Sequence, residues 1–84
     1  DTAMTYNNMG IVYQAQGKYD QALEYYEKAL EIRKKILGEV HSDTANTYKN
    51  MGSVYDEQGK YDQALEYYEK ALEIYKKTLG EVHS

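Results

Sequence analysis

From Thr2 to Gln16 the side chains Tyr6, Met9 and Tyr13 recur at spacings of three and four, which places them on one face of a helix. Gly17 follows where a helix ends on a left-handed residue. Asp20 stands where a side-chain oxygen can accept from the free amides of a new first turn. The helix beyond it carries Ala22, Leu23, Tyr26, Ala29, Leu30 and Leu37 on one side and Glu24, Glu27 and Glu31 on another. Gly38 ends it, Glu39, Val40 and His41 make a short connection, and Ser42 is the expected N-cap of the helix that follows. The pattern predicts helices over residues 2–16 and 21–37, joined by a short loop into an antiparallel hairpin.

The pattern then repeats. Residues 1–42 align with residues 43–84 without a gap, so the second unit is predicted to hold helices over 43–58 and 63–79. The copies differ at seven places: Met4/Asn46, Asn7/Lys49, Ile11/Ser53, Gln14/Asp56, Ala15/Glu57, Arg33/Tyr75 and Ile36/Thr78. The other 35 positions are identical. Self-similarity of this kind marks a repeat architecture, in which each hairpin buries its apolar face on the next. Gly10 and Gly52 fit that plan. Each costs about 1 kcal/mol inside a helix, a cost offset only where a neighbouring helix packs against the bare backbone. Ala22 and Ala29 are small for the same reason, and Tyr13 and Tyr26 fill the remaining volume.

Composition acts mainly by exclusion. At 84 residues the chain is one small domain at most, or a fragment of something longer. It has no cysteine, which removes disulfides, thiolate chemistry, iron–sulfur clusters and cysteine-based zinc sites. A net charge of −4 opposes nucleic-acid binding, which needs clustered Lys and Arg, so the eleven tyrosines read as core and interface filler. No apolar run approaches the roughly 20 residues of a membrane span, and no export signal opens the chain. The expectation is a protein with no membrane partner, leaning towards the cytoplasm. His41 and His83 sit in equivalent connections, and one His per loop does not supply the converging ligands of a metal site. Serine occurs only as Ser42, Ser53 and Ser84, and the glutamates lie on a solvated face, so neither a nucleophile triad nor an acid–base pair assembles. No glycine belongs to a phosphate-cradling loop. No catalysis, metal or cofactor is expected.

The positions Tyr6, Met9, Gly10, Tyr13, Ala22, Tyr26 and Ala29, and again Tyr48, Met51, Gly52, Tyr55, Ala64, Tyr68 and Ala71, resemble the signature of the tetratricopeptide repeat. The run Gln16-Gly17-Lys18-Tyr19-Asp20-Gln21-Ala22-Leu23-Glu24-Tyr25-Tyr26-Glu27-Lys28-Ala29-Leu30 is similar to its consensus. The family's period is about 34 residues with a proline near the end of the second helix. Here Lys34 and Lys76 stand in that place and the unit has 42 residues, which resembles the repeats of the kinesin light chain type. Without proline the second helix can run on, and Leu37 and Val40 would close the hydrophobic seam at its far end. The resemblance implies an all-α fold, an α-solenoid of two antiparallel hairpins in a right-handed superhelical stack. It also implies a non-catalytic scaffold that binds a protein or peptide segment.

Five of the seven differences, at positions 4, 7, 11, 14 and 15 of the unit, fall within an arc of about 100° on the first helix. In the family this stripe resembles the lining of the concave groove where peptides dock. Copy one offers Met4, Asn7, Ile11, Gln14 and Ala15, partly apolar, and copy two offers Asn46, Lys49, Ser53, Asp56 and Glu57, polar and charged. Groove diversification and neutral drift of an exposed face both produce such a stripe. Beside it stand Asn8 and Asn50, each able to clamp a peptide backbone or to bond a neighbouring helix. Members of the family that grip a C-terminal carboxylate use further Lys and Arg. Here only Lys49 lies on the stripe, with Asp56 and Glu57 close by, so a basic or neutral peptide is the expected partner.

Arrays usually need at least about three units and a polar cap. The face of the last helix around Leu65, Tyr68, Leu72 and Leu79 has no covalent partner, and an open apolar face of this kind marks an association site. The end at His83-Ser84 and the start at Asp1-Thr2-Ala3 match the internal junction His41-Ser42-Asp43-Thr44-Ala45. A second copy could therefore stack head to tail, in a contact that does not close on itself. Exchange of hairpins between chains is the alternative route to self-association. Boundaries that fall inside a repeat suggest an excised or consensus-built fragment of a longer array.

Overall fold

A computed structural model of the chain describes residues 2–79. It contains α1 (Thr2–Ala15), α2 (Tyr19–Ile36), α3 (Ser42–Glu57) and α4 (Tyr61–Leu79), with no strand among the described residues. α1 packs on α2 and α3 on α4 to form two hairpins, and α2 packs on α3 to join them. α1 and α3 meet only along a narrow seam. The molecule is a slab of 40 × 30 × 15 Å, so each helix has at least one flank near solvent.

Each hairpin turns on a glycine. Gly17 has φ 79°, its N–H donates to the Gln14 carbonyl at 3.0 Å, and the Lys18 N–H donates to the Tyr13 carbonyl at 2.8 Å. This pair of reversed bonds closes α1 and needs the left-handed residue. Gly59 repeats it with Asp56 and Tyr55. α2 begins at Tyr19, directly out of the turn, with Lys18 at the N-cap and no side-chain cap. Asp20 therefore does not cap the helix as the sequence suggested. It lies within the first turn, where its charge still faces the positive end of the helix dipole.

The close approach anticipated at Gly10 is made by a ring. A Cβ there would lie 2.7 Å from Tyr26 Cδ1, and one at Gly52 would lie 2.9 Å from Tyr68 Cδ1 and 3.2 Å from the Ala64 carbonyl. On the other flank Tyr25 sits between Tyr6 and Tyr13, with ring centroids 5.9 and 5.4 Å away. Tyr67 sits likewise between Tyr48 and Tyr55, at 6.1 and 5.4 Å. Lys28 and Lys70 lay their ammonium groups over the Tyr6 and Tyr48 rings at 5.9 and 5.8 Å, an arrangement worth about 0.5–1 kcal/mol at an exposed site.

The connection between repeats differs from the expectation in two ways. α2 stops at Ile36, Leu37 closes it by donating to the Arg33 carbonyl at 2.8 Å, and Gly38 turns the chain at φ 89°. Leu37 and Val40 consequently leave the helix axis and stay exposed rather than closing the seam. His41, not Ser42, is the N-cap of α3: its Nδ1 accepts from the Asp43 N–H at 3.0 Å. The buried Thr44 hydroxyl donates to the Gly38 carbonyl at 3.0 Å and pins the connection to α3.

Candidate groove and repeat junctions

The junction between the hairpins is the most enclosed part of the molecule. Ala22 and Tyr26 of α2 meet Met51 and Val54 of α3 in a wholly buried cluster, with Tyr13, Tyr19, Leu23, Leu30 and Tyr67 packed around it. Arg33 fastens the far end. Its Nη1 donates to the Asp43 carbonyl at 3.0 Å and to Thr47 Oγ1 at 2.9 Å. The sequence pattern marked Arg33 only as a position that differs from Tyr75, because its partners lie across the junction. Tyr75 instead donates to Asn46 Oδ1 within its own hairpin.

Along the seam between α1 and α3 the divergent positions touch one another. Gln14 Nε2 donates to Ser53 Oγ at 3.0 Å and to Glu57 Oε2 at 3.2 Å, while its Oε1 accepts from the Tyr26 hydroxyl at 2.7 Å. Asn50 Nδ2 donates to Asn7 Oδ1 at 3.0 Å, which ties this asparagine to the neighbouring helix. Met4, Asn8, Ile11, Ala15, Asn46, Lys49, Asp56 and Glu57 are exposed, and Asn7, Gln14, Asn50 and Ser53 are half-buried. Ile11, Gln14, Ala15, Asn50 and Glu57 come together with Tyr19 and Tyr26 around a depression of about 710 Å³. Asn8 lies elsewhere, with Met9, Val12 and Gln16 on the open flank of α1.

Burial, with the Glu57 carboxylate adding to it, pushes the Tyr26 hydroxyl up to about 12. Tyr68, its counterpart, is raised by burial and by Asp56 against an opposing hydrogen bond from Ser53. Tyr75 is raised by burial and then by Asp43. These tyrosines are neutral donors at physiological pH. Among the described residues no group of three or more His, Asp or Glu is gathered as metal ligands, and no helix is long and apolar enough to cross a membrane.

The two flanks of the slab are halves of the junction without their other halves. On α1, Val12 is 54% exposed where its equivalent Val54 is 0%. On α4, Leu65 and Leu72 are 58% and 54% exposed, whereas the matching Leu23 and Leu30 pack into the junction. Tyr68 is half-buried, and the Leu79 side chain lies outside the described residues.

Comparison with known proteins fits this geometry. A search of curated proteins finds no match. Among solved structures, "Crystal structure of MamA" superposes with a TM-score of 0.77 at 32% identity, covering 93% of this chain. This chain spans 41% of that one. The family model of the tetratricopeptide repeat matches residues 1–77, and with paired helices, ring-filled glycine contacts and a repeated unit already in view, the chain belongs to the tetratricopeptide repeat family.

Proposed function

We propose that this protein is a non-catalytic protein-interaction scaffold whose first-helix groove takes an extended or helical peptide segment. The observation that carries this reading is the depression of about 710 Å³ walled by Ile11, Gln14, Ala15, Asn50 and Glu57, which unites residues from both copies of the divergent stripe. Its chemistry is graded. Ile11 and Ala15 offer apolar contact on α1 and Glu57 offers a carboxylate on α3, while Asp56 and Lys49, exposed on α3, stand outside its lining. One carboxylate in the wall and no ammonium favour a peptide that is basic or neutral. Family membership supports a scaffold in general, and the groove supplies the particular surface.

The test is chemical-shift mapping with synthetic peptides graded from Lys-rich through uncharged to Glu-rich. Lys-rich and uncharged peptides are expected to move the resonances of Ile11, Ala15, Asn50 and Glu57, and Ile11→Ala with Glu57→Ala to weaken that response. Shifts confined to α4, or none with any peptide, would overturn the groove reading.

A second reading is supported by the matched flanks. Val12 on α1, and Leu65 and Leu72 on α4, stand open at positions that are covered in the internal junction. A second copy stacked head to tail would cover both flanks at once, the α4 of one against the α1 of the next.

A further inference from the structure

Resting on the head-to-tail reading, we propose that the residues in which the copies differ form an order code. They make the step from repeat one to repeat two stronger than the step from repeat two to the repeat one of a second copy. The apolar part of the joint is common to both steps: Tyr19, Leu23, Tyr26 and Leu30 recur unchanged as Tyr61, Leu65, Tyr68 and Leu72, and Met51 and Val54 as Met9 and Val12. The polar part is not.

Inside the chain Gln14 donates to Ser53 and Glu57, and Arg33 donates to the Asp43 carbonyl and Thr47. At a joint with a second copy, position 14 of the unit becomes Asp56, position 11 of the facing helix becomes Ile11, and position 15 becomes Ala15. A carboxylate has no proton to donate, and a butyl or methyl side chain has no acceptor. Position 33 becomes Tyr75, whose hydroxyl is already given to Asn46. All four bonds that span the internal junction from these two side chains are thus removed from the intermolecular one, while the apolar contact stays. Of the polar bonds across the junction only the Asn50–Asn7 pair keeps a counterpart, Lys49 facing the second copy's Asn8. The second copy therefore docks on α4 mainly by apolar contact, so the stack forms weakly and reversibly, and the internal register is held.

The same substitutions explain why the changes cluster. Gln14 is complementary to Ser53 and Glu57, the residues at differing positions on the opposite helix, and Tyr75 is complementary to Asn46, again a differing position. Four of the five stripe positions therefore have a bonded partner that is itself one of the differences, or supply one.

The test is sedimentation equilibrium of the full chain, compared with a variant in which the intermolecular joint is rewritten as the internal one: Asp56→Gln, Ile11→Ser, Ala15→Glu and Tyr75→Arg. Gln14, Arg33, Ser53 and Glu57 are untouched, so the internal junction keeps its own bonds, and the one bond given up is that of Tyr75 to Asn46 within the second hairpin. Helicity at low concentration verifies that the variant folds. Restoring hydrogen bonds is expected to tighten association by about tenfold or more, and adding Leu72→Glu to the variant is expected to abolish it. Association in the parent chain that the rewriting leaves unchanged would overturn the order code while leaving self-association standing, as hairpin exchange would produce. No association in either protein would overturn the head-to-tail reading itself, and the code with it.

Discussion

Val54 and Val12 are the same residue at the same place in the repeat, yet one is sealed and the other is 54% exposed. Leu30, partly buried in the junction, differs in the same direction from Leu72, exposed on the open flank of α4. Local sequence builds identical helices in both cases. What differs is whether the next hairpin is present. Burial in this fold is a property of the neighbour, which is why stability in repeat proteins divides into a term for each unit and a term for each interface. Two hairpins contain one interface, and that interface is where substitutions are expected to matter most.

The largest contrast should come from the tyrosine that fills it. Tyr26→Ala removes a wholly buried ring that rests on Gly10, and urea melts should show a loss of about 3–5 kcal/mol. Tyr68→Ala removes the equivalent ring from a half-buried site and should cost less than half as much, about 1–2 kcal/mol. Equal losses would erase the distinction between junction and flank.

Alkali provides the next contrast. The Tyr26 hydroxyl is raised from 10.0 to about 12. The folded state then holds a proton that the unfolded state gives up. The contribution is complete below pH 10 and is lost as pH climbs through 12, amounting to about 3 kcal/mol. Urea midpoints measured across that range should fall, and Tyr26→Phe should flatten the fall while leaving a less stable protein at neutral pH.

Arg33→Met should lower stability by about 2 kcal/mol, because it leaves the Asp43 carbonyl and Thr47 with one donor fewer inside the junction. Tyr75→Met, at the matching place on α4, breaks a bond within one hairpin and should cost about 1 kcal/mol. The smallest effect is expected on the flank itself. Leu72→Glu should change the unfolding free energy at low concentration by less than about 0.5 kcal/mol, since the side chain already meets water.

Much of this architecture is legible in the chain because the repeat is written twice. Gly17 and Gly59 announce the hairpin turns, and Gly10 opposite Ala22 and Tyr26 announces the close packing. The parts that escaped are tertiary or depend on chain direction. Asp20 looks like a cap, but the reversed turn at Gly17 delivers the backbone into a helix two residues earlier. His41 caps α3 through a ring nitrogen, a role that its place beside Ser42 conceals. Leu37 and Val40 read as seam residues only while the helix is assumed to continue past Ile36. On the candidate groove, the stripe itself was legible from the seven differences. The bonding of Gln14 to Ser53 and Glu57 was not, because their spacing of 39 and 43 residues carries no local pattern.

Residue-resolved hydrogen exchange, run on dilute and on concentrated protein, tests most directly the claim that the internal junction holds the fold and that each flank is an unfilled half of it. In dilute solution the amides of α2 and α3 should exchange slowest and those of α1 and α4 faster. On concentration, added protection should appear in α1 and α4 together, with α2 and α3 unchanged. Uniform protection across the four helices, or flanks whose exchange ignores concentration, would contradict the claim.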